Sequence, residues 1–262
     1  MSATTCRLTA ANFELRDNGI VQTITDVQYE TLPLNIVCVL DVSGSVAGAP
    51  LQHLKQAYLA IIDALAREDR AALITFANRI ELHSALSGDR ARLRALVDDV
   101  HPGGTTSLFD GVFAALALRE ADEGRTLVLL LSDGRDTSSW LTARKLIDSA
   151  RRTDVVIYPV TVRTIMPFVT AQGKPLIHPR QGSEPSERLL AALAEDTGGR
   201  VVFASDDAAV EATFLEVLRE FRQRYVLSYA PTDVSDSGWH TIEVKLRGKS
   251  GEVRARRGYF AR

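Results

Sequence analysis

Residues 34–45 read LNIVCVLDVSGS, a continuous apolar run that ends in a polar, glycine-containing turn. A short apolar run bounded by turn residues predicts a strand that is buried on both faces of a sheet. A second run of this kind, TLVLLL at residues 126–131, stops at the turn SDG at residues 132–134. Between these strands, apolar residues recur at helical spacing, for example over residues 50–66. The pattern predicts buried strands that are joined by amphipathic helices.

The same alternation of strands and helices continues along the middle of the chain. Strands are predicted at residues 34–40, 71–76, 79–84, 126–131, 155–160 and 200–203. Helices are predicted at residues 50–66, 89–100, 107–121, 141–151, 186–196 and 206–224. This order predicts an α/β fold with a doubly wound, mostly parallel sheet that has helices on both faces.

The two flanks of the chain have a different pattern, because both are rich in predicted β-strands. Residues 13–22 contain an Asn18-Gly19 turn between short alternating segments, which indicates a hairpin. The tail offers strands at residues 225–229, 241–246 and 253–259. We therefore expect an N-terminal β segment (1–32), a central domain (33–224) and a C-terminal β segment (225–262). We also expect the two flanks to pack together as a small β appendage.

Three polar turns lie at the ends of predicted elements, at residues 41–45, 103–106 and 132–134. In an open parallel sheet, ligands bind at the edge where the carboxyl ends of the strands meet. Taken alone, Asp and Ser after a strand are commonly turn and cap residues without a ligand. The convergence of three such turns at one edge of one sheet favours a binding site instead.

The oxygen-bearing side chains of these turns are Asp41, Ser43, Ser45, Thr105 and Asp133. Hard divalent cations such as Mg²⁺ prefer oxygen ligands, so the turns predict a cation site. The three hydroxyls are neutral, and two carboxylates leave the cation undercompensated. Such a metal is expected to attract a carboxylate from outside into an open position.

The motifs DVSGS at 41–45, GGT at 103–105 and SDG at 132–134 resemble the metal-ion-dependent adhesion site of von Willebrand factor A domains. The resemblance covers roughly residues 33–224. It implies that Ser43, Ser45 and Thr105 contact the cation directly, whereas Asp41 and Asp133 act directly or through water. The implied cation is Mg²⁺, or Mn²⁺ or Ca²⁺. Thr106 is the rival for Thr105, which we favour because it directly follows the glycine pair.

Residues 8–19 and the tail from 225 to 260 are similar to a bacterial group known as "VWFA-related". The resemblance as a whole implies a protein-binding or adhesion module, not an enzyme, that recognises an exposed Asp or Glu of a partner protein. One alternative is a scaffold in which the metal only staples the loops and the β appendage binds the partner. Another is a Mg²⁺-dependent phosphohydrolase with Asp41 as nucleophile, although no Lys or His in the motifs would assist it.

Composition narrows the class of partner. The net charge is −2, from 31 basic and 33 acidic residues, which gives no basic excess for nucleic acid or a membrane surface. No apolar run approaches the ~20 residues that span a bilayer. The first residues lack the pattern of a signal peptide, so the chain is expected to be soluble as given, or to be the mature or truncated form of an exported bacterial protein. Cys38 is expected in the core, and no disulfide with Cys6 is predicted.

Two further stretches carry hypotheses. Residues 162–186 form a long proline-containing segment that follows a core strand, and they either shape the choice of partner or form a mobile surface insertion. The predicted final helix, 206–224, has an apolar stripe that fits simple packing against the sheet. In some A domains the final helix slides when the metal site changes state, so the resemblance adds sliding as the alternative.

Overall fold

The structure, a computed structural model, describes residues 8–30, 33–118, 125–132, 134–162, 168–169, 175–176, 185–206 and 209–261. Its strands are β1 (Phe13–Asp17), β2 (Ile20–Gln22), β3 (Ile24–Glu30), β4 (Leu34–Asp41), β5 (Arg70–Phe76), β6 (Ile80–Ser87), β7 (Arg125–Leu131), β8 (Val156–Val162), β9 (Phe168–Val169), β10 (Pro175–Leu176), β11 (Val202–Ala204), β12 (Arg224–Tyr229), β13 (Gly238–Leu246) and β14 (Gly258–Ala261). The α-helices are α1 (Ala49–Ala64), α2 (Arg90–Ala95), α3 (Leu108–Ala117), α4 (Ala143–Arg151), α5 (Pro185–Thr197) and α6 (Val210–Arg222). Short 3-10 helices cover Ala10–Asn12, Gly44–Val46 and Leu96–Asp99.

The main sheet has six strands in the order β11-β8-β7-β4-β5-β6. Every neighbouring pair is parallel except β5 and β6, where β6 closes the edge as an antiparallel strand. β4 lies in the middle of the sheet, which explains why all of its residues are buried. The predicted α/β fold with a mostly parallel sheet is confirmed.

Two apolar layers cover the two faces of this sheet. On one face β4 contributes Ile36, Cys38 and Leu40 to a cluster with α1 and α6. On the other face it contributes Val37 and Val39 to a cluster with α3, α4 and α5. Burial raises the pKa of the Cys38 thiol to about 12, as expected for a cysteine that serves only in packing. With both faces covered, the carboxyl edge of the sheet remains open for a site.

The two flanks pair with each other. A four-stranded antiparallel sheet has the order β14-β13-β1-β2, and a separate antiparallel pair joins β12 to β3. The β1–β2 turn has positive φ angles of 47° at Asn18 and 82° at Gly19, the conformation that the Asn-Gly signal predicts. The assignment of residues 1–32, 33–224 and 225–262 to separate segments stays a prediction.

Two predicted elements have different bounds in the structure. The final helix, predicted over 206–224, extends over Val210–Arg222, since Arg224 already pairs with Glu30 in the β12–β3 ladder. The residue before the helix, Ala209, donates its backbone N–H to Asp206 Oδ1 at 2.9 Å. The strand predicted at 253–259 begins only at Gly258, and residues 251–257 have no strand pairing.

A buried carboxylate, Asp69, ties three elements together in the turn before β5. Its side chain is 1% exposed. It accepts hydrogen bonds from the backbone N–H of Leu34 at 2.9 Å and of Ala66 at 2.7 Å, and it forms an ion pair with Arg222 at the end of α6. Burial alone would raise the pKa of Asp69, but the bonds from Arg222, Leu34 and Ala66 outweigh it and lower the pKa below its ordinary value.

Within the described ranges, every helix is too short or too polar to cross a bilayer. Of the segment 162–186, the structure describes Val162, the short antiparallel pair of β9 and β10, and the start of α5. The rest of that segment lies outside the described residues, so its role in partner choice stays a prediction. Cys6 also lies outside the described residues.

Candidate metal centre

The candidate site begins where β4 and β7 end side by side. These strands are parallel, and their register pairs Leu40 with Leu131. The next residues, Asp41 and Ser132, are both buried, and the Ser132 hydroxyl donates to Asp41 Oδ2 at 2.9 Å. The sheet register therefore connects the DVSGS turn to the SDG turn, as the sequence pattern predicts.

The turn after β4 brings two hydroxyls together beside Asp41. Asp41 Oδ1 accepts the backbone N–H of Ser43 at 2.9 Å, which fixes the carboxylate in the turn. The Oγ atoms of Ser43 and Ser45 are 3.1 Å apart. Ser43 is buried and Ser45 is exposed, so the pair extends from the end of the sheet towards the surface. The structure therefore brings together the three predicted ligands of this turn.

The glycine loop at 103–104 is joined to this turn by backbone hydrogen bonds. Gly103 N–H donates to the Val42 carbonyl at 2.8 Å, and Gly44 N–H donates to the Gly104 carbonyl at 3.1 Å. Gly104 has a φ of 82°, and a Cβ atom there would lie 2.4 Å from Oδ1 of Asn78. Only glycine fits this position without a shift of its neighbours, so the second glycine of the pair has a structural reason.

We expect Gly104→Ala to weaken divalent-cation binding by about tenfold or more, because a strained loop moves Thr105 relative to Ser43. The matched control is Gly103→Ala, since a Cβ atom at Gly103 meets nothing within 4 Å. Calorimetric titration of both variants with Mn²⁺ measures the effect. Equal affinities for the two variants would show that the fit at Gly104 is unimportant for the site.

The two candidate threonines have different surroundings. Thr105 is exposed, and its Oγ1 accepts a hydrogen bond from Ser138 Oγ at 2.9 Å. Thr106 is buried, and its backbone pairs with Thr137: its N–H donates to Thr137 Oγ1 at 2.9 Å and its carbonyl accepts the Thr137 N–H at 2.8 Å. The backbone of Thr106 thus holds two loops together while the Thr105 hydroxyl reaches the surface. This difference supports Thr105 as the ligand, although the choice stays a prediction.

The remaining predicted ligand, Asp133, lies outside the described residues. On either side of it, the backbone N–H of Gly134 donates to the Ser132 hydroxyl at 3.1 Å, and that hydroxyl donates to Asp41. A role for Asp133 at the cation stays a prediction.

The described residues of the site fit a hard cation by the chemistry of their donors. They offer one carboxylate and several hydroxyls, which are the oxygen ligands that Mg²⁺, Mn²⁺ and Ca²⁺ accept. Nowhere in the described part of the chain do three or more His, Cys, Asp or Glu side chains gather in a way that suits a metal.

Two polar groups near the site were not predicted as contributors. Ser132 holds Asp41, and Ser138 holds Thr105. Ser138 also lies 2.9 Å, Oγ to Oγ, from Ser107 at the start of α3. Serines in a polar loop carry no signal in the sequence for such contacts, because the partners are separated by at least 31 residues.

Comparison with known proteins identifies the family to which the sequence is similar. Residues 35–217 match the family model of the von Willebrand factor type A domain. An uncharacterized protein of Synechocystis sp. is 33% identical over 111 residues, covering 40% of this chain and 26% of that protein. Inter-alpha-trypsin inhibitor heavy chain H2 of Sus scrofa is 27% identical over 150 residues, covering 52% of this chain and 16% of that protein. The chain thus matches a minor part of each relative's length.

Among solved structures, the fold is similar to that of proximal thread matrix protein 1 from the mussel byssus. That structure is described with zinc in its metal-ion-dependent adhesion site (MIDAS) motif. The TM-score is 0.59 at 20% identity, and the match covers 78% of this chain and 49% of that chain. At this identity the likeness concerns the fold alone.

Proposed function

Because the chain belongs to the von Willebrand factor type A family, we propose that it is a divalent-cation-dependent protein-binding module whose metal centre recognises an acidic residue of a partner. Domains of this family typically mediate protein–protein interaction and adhesion and are generally non-catalytic. One observation carries the proposal: the hydroxyls of Ser43 and Ser45 lie 3.1 Å apart beside the buried, hydrogen-bonded carboxylate of Asp41.

In this proposal Ser43, Ser45 and Thr105 contact the cation, and Asp41 and Asp133 act directly or through water. Hydroxyl ligands are neutral, so the protein neutralises the cation with few charges. A site of this kind keeps affinity for one more anionic oxygen, and a carboxylate of the partner supplies it. Mg²⁺, Mn²⁺ or Ca²⁺ fits these ligands, and the zinc-occupied MIDAS motif of the mussel byssus protein supports a divalent ion.

We expect Mn²⁺ or Mg²⁺ to raise the unfolding temperature of chelator-treated protein. A ligand at one hundred times its Kd stabilises the folded state by about 2.7 kcal/mol, which corresponds to roughly 5–10 °C for a chain of this size. Ser43→Ala is expected to lose most of this shift. Ser235→Ala, at an exposed serine in the β appendage, should respond like the wild type. An unchanged unfolding temperature in the wild type at saturating cation would argue against a metal centre.

The partner is tested by capturing candidate proteins on the immobilised chain, with Mn²⁺ in one arm and a chelator in the other. Loss of capture in the chelator supports recognition through the metal.

The scaffold alternative has its own supporting observation: a cavity of about 1060 Å³ between the β appendage and the α/β domain, lined among others by Leu15, Val244 and Arg254. Capture that persists in the chelator would favour the scaffold.

A further inference from the structure

One large apolar side chain of the described residues is almost wholly exposed: Trp140, at 96%. The next most exposed large hydrophobic residue among them, Leu82, is at 53%. Tryptophan carries a large apolar surface and is usually well covered in a folded protein. It is also enriched at the centres of protein interfaces. The distance of Trp140 from the candidate metal centre therefore decides whether one partner covers both.

The loop that carries Trp140 is fixed to the start of α3. The carboxylate of Asp110 accepts two backbone N–H groups, from Trp140 at 2.9 Å and from Leu141 at 3.0 Å. The preceding residue, Ser139, accepts the backbone N–H of Phe109 at 3.0 Å. The backbone at Trp140 is thus held from both sides, so little backbone entropy is lost when a partner covers the indole.

The same loop touches the candidate metal centre. Ser138 Oγ donates to Thr105 Oγ1 at 2.9 Å, and two residues of chain span at most about 7 Å. With the serine side chain included, the Cα atom of Trp140 lies within roughly 13 Å of the Thr105 hydroxyl. A standard interface covers about 800 Å² on each partner, a disc of roughly 16 Å radius. A protein centred on the metal would therefore cover Trp140 as well.

A second exposed aromatic residue lies on α3, the helix that holds the backbone of Trp140. Phe113 is 40% exposed and follows Asp110 by three residues on α3. Residues at this spacing are neighbours on one face of a helix, and Asp110 is the residue that holds the backbone of Trp140. Trp140 and Phe113 are thus linked through Asp110, and we call these two exposed aromatic residues the aromatic patch.

We propose that this aromatic patch is the second recognition element for the same partner, and that Trp140 is its anchor. The inference rests on the proposed function, because the metal defines where the partner binds. The partner segment then carries an Asp or Glu for the cation and, a few residues away, an aliphatic or aromatic side chain for Trp140. Specificity for the second side chain comes from this loop and not from the metal.

The test uses phage-displayed ten-residue peptides with one fixed Asp and with Gly, Lys, Leu or Phe at each following position. In Mn²⁺ we expect the wild type to enrich Leu and Phe peptides over Gly and Lys peptides. Trp140→Ala should bind the enriched peptides at least about 30-fold more weakly, the loss typical of an interface anchor. Trp140→Phe should recover part of that loss, and Leu82→Ala, at an exposed leucine on β6, should bind like the wild type.

The outcomes separate the two proposals. The role of the aromatic patch is overturned if Asp peptides are captured in Mn²⁺ without a preference for Leu or Phe, or if Trp140→Ala binds them as tightly as the wild type. Either result leaves the metal centre in place. Absence of Mn²⁺-dependent capture of every Asp peptide overturns both. The role of the aromatic patch is supported if Trp140→Ala abolishes the enrichment of Leu and Phe peptides while weak Mn²⁺-dependent binding of Asp peptides persists.

Discussion

Asp41→Asn is expected to lower divalent-cation affinity by about 100-fold or more while the fold persists. The substitution removes one negative charge and keeps the size of the side chain. At an effective dielectric constant of 20, two unit charges 4 Å apart interact by about 4 kcal/mol, so one lost carboxylate beside a divalent ion is a large change. The amide oxygen can still accept the Ser43 N–H, which preserves the turn.

Calorimetric titration of chelator-treated protein with Mn²⁺ measures this loss. Asp98→Asn is the matched control, since Asp98 is an exposed acidic residue in the 3-10 helix Leu96–Asp99. The unfolding temperatures of wild type and Asp41→Asn in chelator show whether the fold persists. A variant that binds Mn²⁺ as tightly as the wild type would remove Asp41 from the site.

Asp69→Ala is expected to lower the free energy of unfolding by about 3–5 kcal/mol, because Arg222, which is 32% exposed, loses its buried partner and each buried donor left without an acceptor costs about 1–3 kcal/mol. The backbone N–H groups of Leu34 and Ala66 also lose their acceptor. Chemical denaturation measures the change, and the unfolding temperature should fall by about 10 °C. Asp63→Ala breaks an exposed ion pair with Arg94 and should cost less than about 1 kcal/mol. Similar losses in both variants would contradict a special role for Asp69.

The contribution of Asp69 to the free energy of unfolding also depends on pH in a defined direction. In the folded state its pKa is below the ordinary value, and in the unfolded chain it is about 3.9. The stabilisation is therefore complete above the unfolded pKa and is lost as the pH falls through the folded pKa. The stabilities of wild type and Asp69→Asn should thus converge in acid and differ most near neutral pH.

The central sheet was predictable because its signal is local. The apolar run at 34–40 identifies β4 by itself, and the polar residue that ends it, Asp41, marks the edge where ligands bind. The positions of Ser43 and Ser45 follow from the five-residue turn at 41–45 that begins with Asp41. The contact between Ser132 and Asp41 was not predictable in detail, because it depends on the register between two strands that are 91 residues apart.

The tail shows that an alternating sequence pattern does not always predict a paired β-strand. Residues 253–257 alternate like a strand, yet their side chains bind the α/β domain: Arg254 pairs with Glu220 on α6, and Arg256 donates to the carbonyls of Arg151 and Thr153. Strand pairing starts at Gly258, where a Cβ atom would lie 2.1 Å from the His240 carbonyl. Alternation alone does not distinguish a strand in a sheet from an extended segment held by its side chains.

The pairing of β1 with β13 fixes the order in which this protein can be completed on the ribosome. Phe13 pairs with Leu246, a separation of 246 − 13 = 233 residues. At about 5–20 residues per second, β1 waits roughly 12–47 s for its partner strand to be synthesised. By the end of that interval all six strands of the main sheet have been synthesised, whereas β1 still lacks its partner β13. The pairing of β1 with β13 therefore forms only after every strand of the main sheet has been synthesised.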